Sequence, residues 1–275
     1  MSFSSRIQLA AAALLLLSGS AMATTLTYND FSDVSALQLN GSAAQVGSVL
    51  RLAPEAYSQS GTAFSKNAIT LGADVSFSSA FSFRISQPTF GIGDADGIGA
   101  DGITFIVQTN SNTAGGAGGG IGYQGITNSV AIEFDTYNNG SFANDPNGNH
   151  VGIDLGGNIA SVQTAMVADR MNNGAIWYAW VDYNGVTKQL EVRLAEVNSR
   201  PAVAFLSRAV DLVSELGTTN AFVGFGSGTG SGVGNHDILS WEFRDSYNPI
   251  DVPEPASLLL ASLALVGLSV VRRKR

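Results

Sequence analysis

Short runs of alternating apolar and polar residues fill most of this 275-residue chain. In the stretch VSFSSAFSFRIS, the apolar residues Val75, Phe77, Phe81, Phe83 and Ile85 all fall on one phase of a two-residue period. Runs of this kind, rich in β-branched and aromatic residues and bounded by Gly, Asn, Asp or Ser, are typical of antiparallel strands. The same pattern returns in ITFIVQT, VAIEFDTY, IWYAWVDYN, LEVRLAEV, AFVGFGSG and ILSWEFRD.

The pattern predicts an all-β fold. The stretch FLSRAVDLVSEL, residues 205–216, comes closest to the 3.6-residue period of a helix, but we predict a strand that leads into a turn there. Two glycine-rich stretches, 91–102 and 109–122, are predicted to be loops, since neither is followed by the lysine and helix of a phosphate-binding loop. So many short strands favour a two-sheet antiparallel β-sandwich.

The amino-terminal end has the pattern of a secretory signal. Arg6 precedes an apolar run over residues 7–17, and Ala21 and Ala23 form an A-x-A cleavage site. We therefore expect residues 1–23 to be a signal peptide that is removed during secretion.

The carboxy-terminal end has three parts in a fixed order. A Pro-Glu-Pro motif at 253–255 precedes a mostly apolar segment, 256–271, and the basic residues 272–275 close the chain. The segment is shorter than the ~20 residues that usually span a bilayer core, but the basic end fits a short transmembrane helix with a cytoplasmic tail. This arrangement resembles the PEP-CTERM sorting signal of Gram-negative bacteria that contain an exosortase. The resemblance implies transient contact with exosortase and the inner membrane, and an extracellular or cell-surface location.

These assignments leave one large domain over residues 24–247, a linker at 248–252 and a sorting segment at 253–275. The whole chain has 14 Lys and Arg against 22 Asp and Glu, for a net charge of −8, and removing both ends makes it more acidic. Such a charge argues against nucleic acid or anionic lipid as the partner. Because Cys is absent, the exported domain has to depend on its core alone.

The densest group of potential ligands lies in residues 133–150, EFDTYNNGSFANDPNGNH. Glu133 and Asp135 are two positions apart on a predicted strand, so both carboxylates leave the same face while the alternate residues enter the core. Two adjacent carboxylates repel each other unless a cation or a proton lies between them. Together with Asp145, the oxygen-rich loop and His150, they form a ligand set suited to Ca²⁺ and to a transition ion such as Mn²⁺.

Five motifs in this order closely resemble those of legume-type (L-type) lectins. GADGITFIV resembles the A-D-G strand of that family, and AGGGIG resembles its glycine loop. VAIEFDTYNN with DPNGNHVGIDL resembles its metal-binding segment, WVDYNGVTKQLEVRL its back-sheet hairpin, and VGFGSGTG with HDILSWEF its closing loop and strand. The resemblance extends along nearly all of residues 24–247. It implies a concanavalin-like jelly roll that binds carbohydrate and is not an enzyme.

The resemblance also implies a site with two metal ions. It assigns Mn²⁺, or another divalent transition metal, to four side chains: Glu133, Asp135, Asp145 and His150. It assigns Ca²⁺ to three side chains and one backbone carbonyl: Asp135, Asn139, Asp145 and the carbonyl of Tyr137.

A sugar site beside the calcium ion is implied as well. Its residues would be Asp101, Gly120 through its amide, Asn139, the ring of Tyr137, and backbone groups near Ser231 and Gly232. The resemblance further implies a cis peptide between Ala100 and Asp101. Asp96 lies in a second Ala-Asp-Gly copy, but the strand ITFIV directly after Asp101 favours Asp101. The neighbouring glycines leave the register at Gly120 open by one or two residues.

His236 is predicted to be structural rather than a ligand, and three tryptophans, Trp177, Trp180 and Trp241, are predicted to pack in the core rather than to form a sugar platform. Single sites of this shallow kind bind sugars weakly, so useful affinity comes from several sites acting together, as in a homo-oligomer.

The sequence leaves two alternative functions. Glycoside hydrolases of the β-glucanase type use E-x-D-x-x-E on one strand, but EFDTYN has Asn138 at the third acidic position and so lacks the proton donor. A structural surface or biofilm-matrix protein with an inactive sugar site is the other alternative, and the retained Asp101 and Asn139 argue against it. We therefore predict a secreted, metal-dependent lectin whose partner is a glycan or exopolysaccharide.

Overall fold

A computed structural model describes residues 25–72, 74–115 and 118–251. The predicted signal peptide, residues 1–23, and the predicted sorting segment, residues 253–275, with its short transmembrane helix, lie outside these ranges. Within the described ranges, no helix has the length and apolar character needed to span a bilayer. The domain boundaries at 24, 247 and 252 stay predictions.

The described residues form two large antiparallel sheets, which confirms the predicted all-β sandwich. In spatial order, the sheet that we call the front sheet consists of β13 (Gln163–Met166), β12 (His150–Leu155), β11 (Ser129–Asp135), β10 (Gly102–Gln108), β17 (Asn220–Gly228), β5 (Ser60–Ser65) and β2 (Leu37–Gly41), with β6 (Ile69–Thr70) also paired to β17. The back sheet consists of β16 (Leu206–Ala209), β15 (Gln189–Ala195), β14 (Trp177–Asn184), β7 (Phe77–Ile85), β18 (His236–Arg244), β4 (Val49–Ala53) and β3 (Ala44–Val46), with β1 (Thr25–Tyr28) also paired to β18.

The main core lies between the two sheets and is built from alternate residues of the strands. Five apolar residues that follow a two-residue period lie in β7 or directly before it. As predicted, all of them are buried in this core: Val75, Phe77, Phe81, Phe83 and Ile85. The ring of Phe81 contacts three rings of the front sheet, with centroid distances of 5.7, 5.7 and 5.0 Å to Phe105, Phe134 and Phe225. These aromatic contacts fix the central strands of the front sheet against the back sheet.

The residues predicted to be structural are buried. Trp177 and Trp241 pack in the core between the sheets, as predicted. Trp180 is also buried, but it alternates with core residues of β14 and therefore lies on the outer face of the back sheet. His236 is fully buried, and this burial lowers its pKa to about 4.

Residues 205–216 differ from the prediction. Strand β16 is present, but it is followed by a short helix, α1 (Leu212–Leu216), where we predicted only a turn. Asp211 caps the helix by accepting a hydrogen bond from the Ser214 amide (3.4 Å), and Gly217 ends it with φ 70°. The prediction of a turn was wrong because Leu212 and Leu216 are four residues apart, and at this spacing one face of a helix buries both side chains.

The glycine-rich stretch 91–102 contains a small hairpin where we predicted a loop. Its strands are β8 (Gly93–Asp94) and β9 (Gly97–Ile98). Asp94 Oδ1 accepts a hydrogen bond from the Asp96 amide (2.9 Å), which is the local turn that an Asp side chain favours. Gly97 has φ 125°, a conformation that side chains rarely adopt.

Candidate functional site

The predicted ligands lie at one end of the front sheet, where β11 ends and β12 begins. The two strands pair so that Asp135 lies opposite His150 and Glu133 lies opposite Gly152. As predicted, Glu133 and Asp135 share the outer face of β11, while the alternate residues Ile132 and Phe134 pack in the core. A side chain at Gly152 would collide with the Glu133 carboxylate. The absence of a side chain at Gly152 therefore leaves room for that carboxylate.

Four of the predicted metal ligands come together in the structure. Glu133, Asp135 and His150 each offer a ligand atom, and these atoms lie within 4.8 Å of one another. His150 Nε2 is 3.2 Å from Glu133 Oε1 and 3.7 Å from Asp145 Oδ1, and all three side chains are buried.

The histidine ring is oriented for a cation. Its Nδ1 lies 3.0 Å from the carbonyl oxygen of Asn147, and because a carbonyl only accepts hydrogen bonds, Nδ1 has to be the donor. In the neutral imidazole, Nε2 then presents a lone pair toward the carboxylates of Glu133 and Asp145. Lone pair and carboxylates cannot satisfy one another without a proton or a metal ion, and a carbonyl on the opposite ring nitrogen is the usual support of a metal-bound histidine.

Several buried oxygen atoms of the same region have no hydrogen-bond partner in the described structure: Asp101 Oδ2, Glu133 Oε2, Asn139 Oδ1 and Asp145 Oδ1. Backbone amides of the loop after β11 satisfy other carboxylate oxygens of this region. The Tyr137 amide donates to Asp135 Oδ1 (2.7 Å), and the Asn139 amide donates to Asp145 Oδ2 (2.6 Å). A buried acceptor without a donor costs about 1–3 kcal/mol. Carboxylate and amide oxygens in this arrangement are ligands for a hard divalent cation.

The pKa values of the carboxyl groups also indicate that this region needs a neutralising charge. Burial, together with the charges of Glu133 and Asp145, raises the pKa of Asp135 well above its usual value. Burial raises the pKa of Asp145 to about 6, although the Asn139 amide and His150 partly offset this. Burial alone raises the pKa of Asp101 to about 7. Protons or cations are therefore needed to neutralise the group.

The predicted sugar residues Asp101 and Asn139 converge beside this cluster. The Ala100–Asp101 peptide is cis, as the resemblance implies. The backbone of Asp101 is fixed on both sides, because its amide donates to the Gly228 carbonyl (3.1 Å) and its carbonyl accepts from the Thr136 amide (2.9 Å). Its carboxyl is buried at the start of β10, and the half-buried Tyr137 follows the same end of β11.

The glycines around Asp101 show which loops lie beside its carboxylate. The position that a Cβ would take at Gly119 is 3.3 Å from Asn139 Nδ2 and 4.0 Å from Asp101 Oδ1, and at Gly230 it is 3.8 Å from Asp101 Oδ2. At Gly120, the register we expected, the corresponding position faces Gln124 instead. Of Gly119 and Gly120, it is therefore Gly119 whose Cβ direction is toward both Asp101 and Asn139.

The predicted backbone contacts at Ser231 and Gly232 lie in the loop that follows Gly230. Ser231 is exposed, and its carbonyl accepts a hydrogen bond from the Ile92 amide (3.0 Å). The Cβ position of Gly232 faces Ala100, the residue before Asp101. The loop thus packs directly against the backbone that presents Asp101.

Sequence reasoning missed a second layer of polar contacts behind Glu133. Ser161 Oγ lies 2.6 Å from Glu133 Oε1 and 2.5 Å from Asp154 Oδ1. Because a hydroxyl has one proton, one of these contacts needs a proton on a carboxyl, and burial together with the charge of Glu133 raises the pKa of Asp154. The available signal was the even spacing of His150, Gly152 and Asp154, which places all three on the face of Glu133.

The β8–β9 hairpin was missed as well. Asp94 Oδ2 accepts a hydrogen bond from the Asn138 amide (2.7 Å), and Asp96 Oδ2 accepts one from the Gly148 amide (2.9 Å). The two carboxylates thus hold both ends of the loop between β11 and β12. Asp96, which the sequence offered as an alternative to Asp101, thus accepts a hydrogen bond from the backbone of this loop.

Comparisons with family models match both parts of the chain that the sequence singles out. The model of the legume lectin domain matches residues 23–258, and the model of the PEP-CTERM protein-sorting motif matches residues 251–275.

Curated relatives include plant proteins of different lengths. The L-type lectin-domain containing receptor kinase VIII.1 of Arabidopsis thaliana is 33% identical over 207 residues, which are 73% of this chain and 27% of the relative. Agglutinin-2 of Cladrastis kentukea is 35% identical over 182 residues, or 62% of this chain and 58% of the relative. The bark lectin of Styphnolobium japonicum is 34% identical over 208 residues, or 71% of each protein. The chain thus spans less than two thirds of the first two relatives.

Solved structures share the fold. The lectin from Bauhinia forficata in complex with GalNAc superposes with a TM-score of 0.70 and 26% identity, covering 82% of this chain and 100% of that chain. The basic winged bean lectin with Tn-antigen has a TM-score of 0.67 and 28% identity, covering 81% and 98%. Both agree with the two-sheet sandwich described above.

Proposed function

Because this chain belongs to the legume lectin domain family and ends in a PEP-CTERM sorting motif, we propose that it is a secreted, metal-dependent lectin without catalytic activity. A legume lectin domain is a carbohydrate-binding domain, so glycan binding follows from the family. The metal dependence rests on one observation above all. His150 Nε2 faces the carboxylates of Glu133 and Asp145, while Nδ1 is held by a carbonyl.

The residues at the end of the front sheet fit two divalent cations. A transition ion such as Mn²⁺ would be held by one imidazole among carboxylates, the donor set of Glu133, Asp135, Asp145 and His150. Ca²⁺ would be held by oxygen donors only: Asp135, the carbonyl of Tyr137, Asn139 and Asp145. When bound, the two ions supply the positive charge that lets the buried carboxyls stay ionised.

The sugar site then consists of groups that the chain itself positions. The Asp101 carboxylate accepts hydrogen bonds from sugar hydroxyls, which are strong because the acceptor is charged. The Asn139 side chain and an amide of the glycine loop, from Gly119 or Gly120, donate to the same sugar, and the backbone near Ser231 and Gly232 adds a further contact. The ring of Tyr137 covers an apolar face of the sugar. The complexes of two structural neighbours with GalNAc and with the Tn-antigen support a pyranose as the ligand.

The location follows from the sorting motif. We propose that the signal peptide directs the chain across the inner membrane, and that exosortase recognises residues 253–275. A cell-surface or extracellular glycan, including an exopolysaccharide, is then the accessible partner, and homo-oligomers would raise the avidity of single weak sites.

A glycan array probed with the purified full chain tests this function. With CaCl₂ and MnCl₂ present, we expect binding to a defined set of glycans, and excess EDTA abolishes it. Incubation with β-glucans should release no reducing ends, since Asn138 replaces the acid of the β-glucanase motif. Steady release of reducing ends would instead support a hydrolase, and an array without any metal-dependent signal would support a purely structural protein.

The Asp101→Asn variant separates the sugar site from the fold. The amide keeps the shape of the side chain but removes the charge, so we expect glycan affinity to fall at least about tenfold. Metal content should stay at the wild-type level and thermal unfolding should remain cooperative. Unchanged glycan binding by this folded variant would show that the assigned sugar site is wrong.

A further inference from the structure

Two exposed aromatic rings lie outside the site described so far. Tyr57, between β4 and β5, is 55% exposed, and Phe90, between β7 and β8, is 41% exposed. Their ring centroids are 5.3 Å apart with an interplanar angle of 79°, the edge-to-face geometry that aromatic pairs favour. An aromatic pair in contact that keeps so much surface open to solvent is unlike the buried ring contacts of the core.

The loops that present the two rings are fixed by polar contacts. Glu55 Oε1 accepts hydrogen bonds from the Thr89 amide (2.7 Å) and the Thr89 hydroxyl (2.9 Å), directly before Phe90. The Glu55 amide donates to Asn235 Oδ1 (2.9 Å), which anchors the Tyr57 loop to the start of β18. Because these contacts join both loops, the pair is preorganised and a ligand does not have to order it.

The same loops are bonded to the loop beside Asp101. The Ser58 amide donates to the Gly230 carbonyl (3.0 Å), and the Ile92 amide donates to the Ser231 carbonyl (3.0 Å). The Thr229 hydroxyl also donates to the Ala56 carbonyl (2.7 Å). Since the Cβ position of Gly230 is 3.8 Å from Asp101 Oδ2, one wall of the sugar site continues into the loop that presents Tyr57.

We propose that Tyr57 and Phe90 form a second carbohydrate subsite, which binds the next pyranose of an oligosaccharide whose first sugar is held at Asp101. This inference rests on the proposed function. The C–H faces of a pyranose are apolar and pack on aromatic rings. The exposed Ser231 follows Gly230, and its carbonyl accepts a hydrogen bond from the Ile92 amide (3.0 Å), so its loop joins the two positions. The protein therefore selects oligosaccharides over single sugars.

The size of the platform favours a sugar over a protein partner. A specific protein interface buries roughly 800 Å² on each partner, whereas this platform consists of two rings, next to the exposed Ile92. It also borders a site for hydroxyl-rich ligands.

Titration calorimetry with the full chain, loaded with CaCl₂ and MnCl₂, tests the subsite. The probes are methyl glycosides of mannose, glucose and galactose, and sets of their disaccharides that differ in linkage. For the sugar that the wild type accepts, we expect its best disaccharide to bind about five- to tenfold more tightly than the methyl glycoside. Tyr57→Ala and Phe90→Ala should remove most of this gain and change the affinity for the methyl glycoside less than about twofold.

Tyr247→Ala is the matched control. Tyr247 is an exposed aromatic residue (44%), and the neighbouring Asn248 is bonded to Ser78 at the opposite end of β7. We expect wild-type affinities for both kinds of ligand in this variant. Asp101→Asn should weaken the methyl glycoside and the disaccharide alike.

Three results would overturn the subsite. One is a wild type that binds the methyl glycoside and every disaccharide equally well, and another is an equal loss of both ligands in the Tyr57 and Phe90 variants. The third is a change of oligomeric state on gel filtration in those variants, which would assign the rings to contacts between copies of the chain. A metal-loaded wild type that binds no probe and also gives no metal-dependent signal on the glycan array would refute the proposed function itself along with the subsite.

Discussion

At the scale of single residues, the main feature is a group of buried carboxyls around one imidazole. His150 Nδ1 is occupied by the Asn147 carbonyl, so only Nε2 is directed toward Glu133 and Asp145. The unpartnered oxygens of Asn139 and Asp145 lie in the same region. A bound metal ion would satisfy these groups together, whereas protons would satisfy them only by removing the charge that makes Asp101 a strong acceptor in the proposed sugar site.

This group determines how the metal-free chain responds to pH. The pKa of Asp101 is raised to about 7 and that of Asp145 to about 6, and the pKa of Asp135 is also raised. Each of these carboxyls holds its proton more tightly in the folded chain than in the unfolded chain, so their stabilising contribution is lost as pH rises. His236, with its pKa lowered to about 4, acts in the opposite direction below its unfolded pKa, but it exchanges only one proton.

We therefore expect the melting temperature in EDTA to fall by about 5 °C or more between about pH 5.5 and pH 7.5. With saturating CaCl₂ and MnCl₂ the fall should disappear, because cations replace protons as the neutralising charge. Differential scanning calorimetry of the full chain with and without EDTA measures both series. A metal-free chain that became more stable over this pH range would contradict the assignment of raised pKa values.

At the scale of elements, the site depends on a hairpin far from it in sequence. The carboxylates of Asp94 and Asp96 accept hydrogen bonds from the Asn138 and Gly148 amides, so the β8–β9 hairpin fixes both ends of the loop between β11 and β12. The loop otherwise has little regular structure, with one short 3₁₀ turn at Gly140–Phe142. The hairpin therefore supports the loop that carries the candidate oxygen ligands.

Replacing Asp94 or Asp96 by Ala should lower the affinity for Ca²⁺ about tenfold, the effect usual for groups that orient metal ligands. The fold should persist, since neither residue lies in the core. Calcium titrations by calorimetry give the affinity. Asp33→Ala is the control, because Asp33 also accepts a backbone hydrogen bond, from Ser35 (2.8 Å), but on a different loop. Wild-type affinity in both hairpin variants would mean that the loop is ordered without the hairpin.

The sequence predicted the elements with strong patterns and missed those determined by tertiary contacts. Glu133 and Asp135 were placed correctly because strand alternation is a local property. The contacts of Asp94 and Asp96 join residues more than forty positions apart, and nothing local to either segment specifies that they meet. The register of the glycine loop stayed open by one or two residues, because the path of a glycine-rich loop is determined by what it packs against, and the Cβ direction of Gly119 is toward Asn139 and Asp101.

At the scale of the whole molecule, the hydrophobic core and the candidate site share strand β11. Phe134 lies between Glu133 and Asp135, and its ring packs against Phe81 and Phe83 from the opposite sheet, at centroid distances of 5.7 and 5.1 Å. Ligands that bind only the folded chain add to its free energy of unfolding. The proposed binding of metal at the end of β11 would thereby add to the stability of the entire sandwich.

The most direct test of this account is the metal content of the purified full chain. The chain is saturated with CaCl₂ and MnCl₂, freed of unbound ions by gel filtration, and analysed by inductively coupled plasma mass spectrometry. We expect about one equivalent each of Ca and Mn per chain, with Mn lost in Glu133→Gln. A wild-type chain that retains neither metal would contradict the central claim that divalent cations neutralise the buried carboxyls and shape the sugar site.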